Sequence, residues 1–399
     1  MKKTVKDIDI KNKKVIMRVD FNVPLDKETN SKITDTTRVD AAMPTIEYIL
    51  SQGASLILMS HLGRPKGEAN PKYSLKPVYD YLKTKLPNNK VLFANDCIGD
   101  EVKKTASSLN AGDVLLLENL RYHAEEEKND ANFSKQLSDL ADVYVNDAFG
   151  TAHRAHASTA GIVSAKPSMP ADAGFLMEKE IKYLGDAVAD PKRPFVAIIG
   201  GAKVSSKISV LKNLLNKVDT LIVVGGMAYT FLKAKGYEIG ASLCEDDYIQ
   251  TAKEIMDKAK ELNKNLYLPV DNIIADKFDN DANRKTVDCD SIPQGWMGMD
   301  VGEKTLKELE NILKDAKTVV WNGPLGVFEM SNFAKGTFEV AKFIANSGAV
   351  SIIGGGDSVS AVNKSGVADK MTHISTGGGA SLEFLEGIEL PGIKVLQDK

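Results

Sequence analysis

Phe195-Val-Ala-Ile-Ile-Gly-Gly-Ala-Lys-Val-Ser-Ser-Lys207 decides the fold class: five consecutive apolar residues, a Gly-Gly break at 200 and 201, then a helical pattern. A short apolar run closed by glycine reads as a strand buried on both faces, the kind that parallel sheets use. The glycine turn leading into a helix offers backbone N–H groups and the positive end of the helix dipole to phosphate. Lys203 and Lys207, four apart, are expected on one face of that helix's first turn. Cations there are unfavourable beside the dipole unless an anion is present, which favours an anion-binding role.

The same rhythm extends in both directions. Lys14–Val19, Ser55–Met59, Val91–Phe93, Val114–Leu117 and Val143–Val145 precede the opening stretch; Leu221–Val224, Leu266–Leu268, Thr318–Trp321 and Val350–Ile353 follow it. Helical patterns such as Thr45–Leu50 and Val78–Leu82 lie between them. This βαβ alternation, run twice, predicts an α/β protein of two doubly wound parallel-sheet (Rossmann-like) domains joined by a hinge helix. The joint is marked by proline pairs, Pro167 and Pro170 before it and Pro191 and Pro194 after it. Met177, Ile181, Leu184 and Val188 put one apolar stripe on the helix between them. The expected division is residues 1–170, a connecting helix over 171–187, and residues 188–387.

Chemistry is distributed unevenly over the two halves. Only seven arginines stand against forty-four lysines, and Arg18, Arg38, Arg64, Arg121 and Arg154 all fall in the first 154 residues, together with His61, His123, His153 and His156. Four strand ends there present polar or cationic side chains: Asp20 and Asn22; Ser60, His61 and Arg64; Glu118, Arg121 and His123; and Asn146 through His156. Ligands of open α/β sheets bind beyond the carboxyl ends of the strands, so these groups are expected to meet in one crevice. Arginine's planar fork suits carboxylate or phosphate there. Any one of them could instead be a surface ion pair, and the histidines satisfied polar residues.

In the second half, Gly354-Gly-Gly-Asp357-Ser358 places a carboxylate beside a phosphate-ready turn, where a nucleotide-bound Mg²⁺ finds a partner. Trp321-Asn322-Gly-Pro ends another strand, and Glu329 beyond it is available for ribose hydroxyls. Neither GxxxxGK[ST] nor GxGxxG occurs, which argues against a Walker A loop and a nicotinamide site. No Ser-His-Asp, Cys-His or paired-carboxylate set is evident. Phosphoryl transfer to a carboxylate needs none, because the acceptor is already ionised and catalysis reduces to alignment and charge stabilisation.

Bulk properties narrow the field. A net charge of −3 and an ordinary 43% hydrophobic fraction give no footprint for nucleic acid or an anionic membrane. Cys97, Cys244 and Cys289 are odd in number and widely spaced, so they read as inert thiols of a reducing compartment. The N-terminus lacks an apolar signal region, and a cytoplasmic protein is expected.

Taken together, Arg18-Val-Asp-Phe-Asn-Val-Pro, Ser60-His-Leu-Gly-Arg-Pro, Glu118-Asn-Leu-Arg-Tyr-His, Asn146-Asp-Ala-Phe-Gly-Thr-Ala-His-Arg-Ala-His, Gly200-Gly-Ala-Lys-Val, Gly295-Trp-Met-Gly-Met-Asp, Trp321-Asn-Gly-Pro and Ser375-Thr-Gly-Gly-Gly-Ala-Ser resemble the motifs of the phosphoglycerate kinase family, in family order. The resemblance spans residues 18 to 381. It implies reversible transfer between 1,3-bisphosphoglycerate and ADP, giving 3-phosphoglycerate and ATP, with Mg²⁺ as cofactor, in a monomer that binds neither nucleic acid nor membrane. It further implies that Asp20, Phe21, Asn22, Arg38, His61, Leu62, Gly63, Arg64, Arg121 and Arg154 bind the glycerate substrate. Lys203, Lys207, Gly298, Asn322, Glu329, Gly355, Gly356, Asp357 and Ser358 would bind the nucleotide, with Asp357 toward the metal. Arg38, Lys203, Gly355 and Gly378 would act on the transferring phosphoryl group. The tail, 388–399, would return to the first domain. Ser206 stands where many members carry Asp, Val224 where some carry a third Gly, and Ser358 where Thr is common. Two rivals share parts of this pattern. A two-lobed solute-binding protein would carry an export signal, and a nicotinamide-dependent dehydrogenase would show the missing glycine fingerprint.

Overall fold

The computed structural model describes residues 1–399, apart from the side chains of residues 186 and 187. The chain divides into two units, Met1–Lys182 with Glu389–Lys399, and Tyr183–Ile388. The division falls inside the helix Phe175–Ala189.

Six strands form the sheet of the first unit: β1 Lys14–Arg18, β2 Ser55–Met59, β3 Val91–Phe93, β4 Val114–Leu116, β5 Val143–Asn146 and β6 Ala171–Ala173. Their order is β3-β4-β2-β1-β5-β6 and every pairing is parallel. All residues of β2 are buried, as a strand covered on both faces requires. Crossover helices such as Thr37–Ser51 and Lys76–Lys85 pack Val39, Ile46, Val78 and Leu82 against it. The terminal segment closes this unit: Asn146 Nδ2 donates to the Gly392 carbonyl (3.0 Å), and Gln397 N donates to the Ala171 carbonyl (2.9 Å).

The second unit carries β7 Phe195–Ile199, β8 Thr220–Val223, β9 Glu238–Ile239, β10 Asn265–Tyr267, β11 Asp271–Ala275, β12 Arg284–Asp288, β13 Ser291–Ile292, β14 Met297–Val301, β15 Thr318–Asn322, β16 Val350–Gly354 and β17 His373–Ile374. Six of them form a parallel sheet in the order β10-β8-β7-β15-β16-β17, which is the mononucleotide-binding order with its switch point between β7 and β15. A three-stranded antiparallel sheet, β12-β11-β14, is added beside it. Among the described residues no helix is long and apolar enough to cross a membrane.

One local expectation is corrected. The helix after β7 begins at Ile208, with Lys207 as its N-cap, so Lys203 and Lys207 lie in the turn before it rather than in its first turn. Gly201 at φ +142 and the turn through Ser205 and Ser206 use up the residues that would have wound it.

Candidate functional site

In the first unit the parallel sheet brings the carboxyl ends of β1, β2, β4 and β5 to one edge, and the expected residues follow from them. Asp20 and Arg38 form an ion pair at 2.6 Å, with Arg38 partly exposed. Asn22 Oδ1 accepts from the Gly63 N–H (2.8 Å), tying the loop after β1 to the loop after β2. Arg121 reaches the same loop, donating from Nη1 to the Gly63 carbonyl (3.0 Å), and its Nε lies 3.4 Å from Glu127. Arg64 and Arg154 are exposed, and Arg154 Nε donates to His153 Nε2 (3.1 Å). Phe21 and Leu62 are core side chains, so what they offer a ligand is backbone.

These cations share one neighbourhood. His61 is buried and its pKa is driven well below the usual imidazole value, first by desolvation and then by Arg18, Arg121, Arg38 and His156. His156 is lowered to about 4, by burial and then by Arg18, Arg121, Arg154 and His153. Arg121 is lowered chiefly by burial, with Arg18 and Arg64 adding to the effect. Burial first, and the crowded positive charge second, keep the histidines neutral, and it is the second that makes an anion welcome there.

Sequence reasoning missed what holds this patch in place. Asn119 accepts from the Leu62 N–H (3.2 Å) and donates to the Leu62 and Tyr73 carbonyls (2.7 and 2.8 Å), bracing the His61–Arg64 loop. Arg18, fully buried, donates from Nε to Ser158 Oγ (2.8 Å), whose hydroxyl donates to buried Glu126 (2.5 Å). It also missed that Asp96, Cys97 and His123 converge, with one ligand atom of each within 4.8 Å of the others. His123 Nε2 and Asp96 are paired at 2.7 Å, and burial pushes the Cys97 thiol far up, so this cluster is satisfied as a hydrogen-bonded pair beside an inert thiol.

In the second unit a cavity of about 500 Å³ opens at the switch point, lined among others by Gly201, Gly225, Gly298, Pro324, Glu329 and Asp357. Backbone crowding explains the glycines. A Cβ on Gly200 would overlap the carbonyls of Gly323 and Pro324, and one on Gly298 would overlap the Tyr229 hydroxyl. Lys207 Nζ donates to Asn322 Oδ1 (2.7 Å), while Asn322 Nδ2 is buried without a partner. Burial lowers the Lys207 pKa, with Asp357 and Glu386 opposing it. Lys203 is exposed.

Gly355, at φ +84, turns the chain into the helix Gly356–Lys364, whose first turn holds Asp357. Ser358 is turned inward, its hydroxyl accepting from the Gly323 N–H (2.6 Å), so it braces the β15 turn. Gly378, at φ +50, precedes the short helix Gly379–Leu385. A larger cavity of about 800 Å³, lined among others by Lys253, Tyr267 and Asp290, contains none of the motif residues. The smaller one is the better candidate because it lies where the strand order reverses.

A Mg²⁺ ion fits this donor set. Asp357 offers an exposed hard oxygen at the cavity, and one carboxylate suffices because phosphate and water complete the shell.

A basic, arginine-bearing half-site on one doubly wound unit and a glycine-framed cavity at the switch point of another define a two-domain α/β phosphotransferase. Residues 5–388 match the phosphoglycerate kinase family, and the chain belongs to that family. It is 58% identical over 400 residues to phosphoglycerate kinase of Clostridium botulinum, covering 100% of this chain and 99% of that one. To the Leptospira biflexa enzyme of the same name it is 56% identical over 391 residues, covering 98% and 97% of the two chains. Among solved structures, phosphoglycerate kinase from Coxiella burnetii superposes with a TM-score of 0.90 at 41% identity, covering 99% of this chain and 98% of that one.

Proposed function

We propose that this chain catalyses reversible phosphoryl transfer between 1,3-bisphosphoglycerate and ADP, yielding 3-phosphoglycerate and ATP. The family assignment supports the reaction. The observation that carries the division of labour is the cationic neighbourhood around His61, set against the glycine-framed cavity beside Lys207 and Asp357.

In the direction of acyl-phosphate formation, a carboxylate oxygen of 3-phosphoglycerate attacks the γ-phosphorus of ATP. The new O–P bond forms as the bond to the β,γ-bridging oxygen breaks, and ADP leaves with that electron pair. No general base is required, since the attacking carboxylate carries no proton. Arg64, Arg121, Arg154 and His61 hold the non-transferred phosphate, and Asp20 and Asn22 the glycerate end. Arg38, released from Asp20 by the incoming substrate, faces the carboxylate and stabilises the charge of the transferring group. Lys203 and Lys207 neutralise the nucleotide phosphates. Asn322 Nδ2 supplies a buried donor, and Gly355, Gly356 and Gly378 supply backbone N–H groups. Glu329 takes the ribose, and Gly298 keeps the cavity wall flat. Mg²⁺ held by Asp357 would draw charge from the phosphate oxygens.

Because the two half-sites lie on separate units, transfer requires them to meet, and we assign this to a hinge closure at the connecting helix that also keeps water from the acyl phosphate. The protein is taken to act as a cytoplasmic monomer. The test is a coupled assay of the purified chain, in which ADP release must depend on both 3-phosphoglycerate and Mg²⁺. ADP release independent of 3-phosphoglycerate, or none at all, would overturn the assignment.

A further inference from the structure

We infer that His61 works as a permanently neutral Nε2–H donor, fixed in that tautomer by a buried relay of Glu126, Ser158 and Arg18, which makes these three positioning residues of the phosphate half-site. The inference rests on the functional reading above only in naming the ligand as a phosphate.

The argument begins with what a guanidinium can do. It has five N–H donors and no acceptor, and it keeps its proton at any pH a protein survives. Arg18 Nη2 lies 3.1 Å from His61 Nδ1, so Nδ1 must accept. The ring proton is therefore on Nε2. An imidazolium would set two donors face to face beside a buried cation.

What keeps Arg18 in place is equally specific. Its Nη1 donates to the Val19 carbonyl, and its Nε donates to Ser158 Oγ (2.8 Å). Glu126 accepts from both the hydroxyl (2.5 Å) and the N–H (2.9 Å) of Ser158. Burial works against the charge of both Arg18 and Glu126, and their mutual attraction opposes it in each case. Breaking this arrangement at one end leaves a buried charge unpaired, so the relay is rigid.

The other groups facing His61 act in the same direction. Arg121 and Arg38 add positive charge, His156 with its pKa lowered to about 4 adds none above that pH, and Glu126, the compensating negative charge, is committed to Ser158. His61 therefore offers phosphate a hydrogen bond and no charge. The surrounding arginines supply the charge, so the subsite does not weaken as pH rises through the range in which free histidine deprotonates.

Side-chain ¹H–¹⁵N NMR of the full chain, followed from about pH 5.5 to about pH 8.5, reads the tautomer directly. The expected result is an unshifting His61 signal with a protonated Nε2 and a pyridine-type Nδ1. A His61 that titrates in this range, or carries its proton on Nδ1, would overturn the inference. Ser158→Ala tests the relay: His61 should become a tautomer mixture, and KM for 3-phosphoglycerate should rise about tenfold while KM for Mg·ATP holds. A Ser158→Ala spectrum identical to the wild type would remove the relay from the account. Should Ser158→Ala fail to fold, the wild-type titration alone decides the tautomer. If 3-phosphoglycerate leaves the Nε2–H signal unmoved, the ligand reading fails and the tautomer assignment stands.

Discussion

Lys207 sits under opposing demands that a phosphate would reconcile. Burial disfavours its charge, yet its Nζ is held at 2.7 Å by Asn322, whose own Nδ2 has no partner. A phosphate oxygen in the adjoining cavity would satisfy both. Lys207→Met should therefore weaken ADP binding by roughly 10- to 100-fold, the value of a hydrogen bond to a charged group, and calorimetric titration would show it. Unchanged ADP affinity would make Lys207 a structural brace. At this scale the sequence was informative where residue types were scarce: arginines concentrated in one half could be read as a group. It was silent where a residue is common. In Glu125-Glu126-Glu127 only Glu126 is fully buried, and an acidic run gives no sign of which member turns inward. Asn119 and Ser158 were unreadable for the same reason, since their partners lie at sequence separations only the fold closes.

At the scale of elements, two joints lie at strand ends, one in each unit. Asp147, just after β5, accepts from the Met177 N–H (3.0 Å) in the first turn of the connecting helix, while its other carboxylate oxygen is buried without a partner. Desolvation raises its pKa to about 7, with the hydrogen bonds from Thr45, Met177 and Leu176 opposing the rise. A carboxyl raised from roughly 3.9 favours the folded state fully below that value, and the benefit is lost as pH climbs through the folded pKa. Asp147→Asn removes the titration, so its melting midpoint, relative to wild type, should rise between about pH 4 and about pH 8. Parallel midpoints over that range would show that Asp147 does not titrate as a buried acid. At the other joint, Gly200→Ala would drive a methyl into the Gly323 and Pro324 carbonyls. Nucleotide binding should be lost with 3-phosphoglycerate binding retained, measured by separate titrations. Equal loss of both would mean that the substitution unfolds more than the switch point.

The sheet strands were legible because they are continuous apolar runs, and each of the ten became a strand of a six-stranded sheet, although the edge strands β3 and β10 are only partly buried. What escaped lacked that signal. Ala171–Ala173 is an edge strand with a buried aspartate at its centre, and β12, Arg284–Asp288, is mostly exposed. The start of the helix at Ile208 was misjudged because glycine and serine in the preceding turn satisfy a helix pattern without adopting it.

At the scale of the whole molecule, the account requires two independently built half-sites to act on one phosphoryl group. Small-angle scattering with 3-phosphoglycerate and Mg·ADP together should give a smaller radius of gyration than either ligand alone. Equal compactness in all states would remove hinge closure from the mechanism. The most direct test of transfer between the half-sites is steady-state turnover of wild type and Arg38→Ala, with ADP affinity measured on the same samples. The account predicts that kcat falls by roughly 10²- to 10³-fold in the variant while nucleotide affinity is unchanged, because Arg38 lies in the first unit and, in the proposed mechanism, stabilises the transferring group. Wild-type turnover in Arg38→Ala, or loss of ADP binding along with activity, would contradict it.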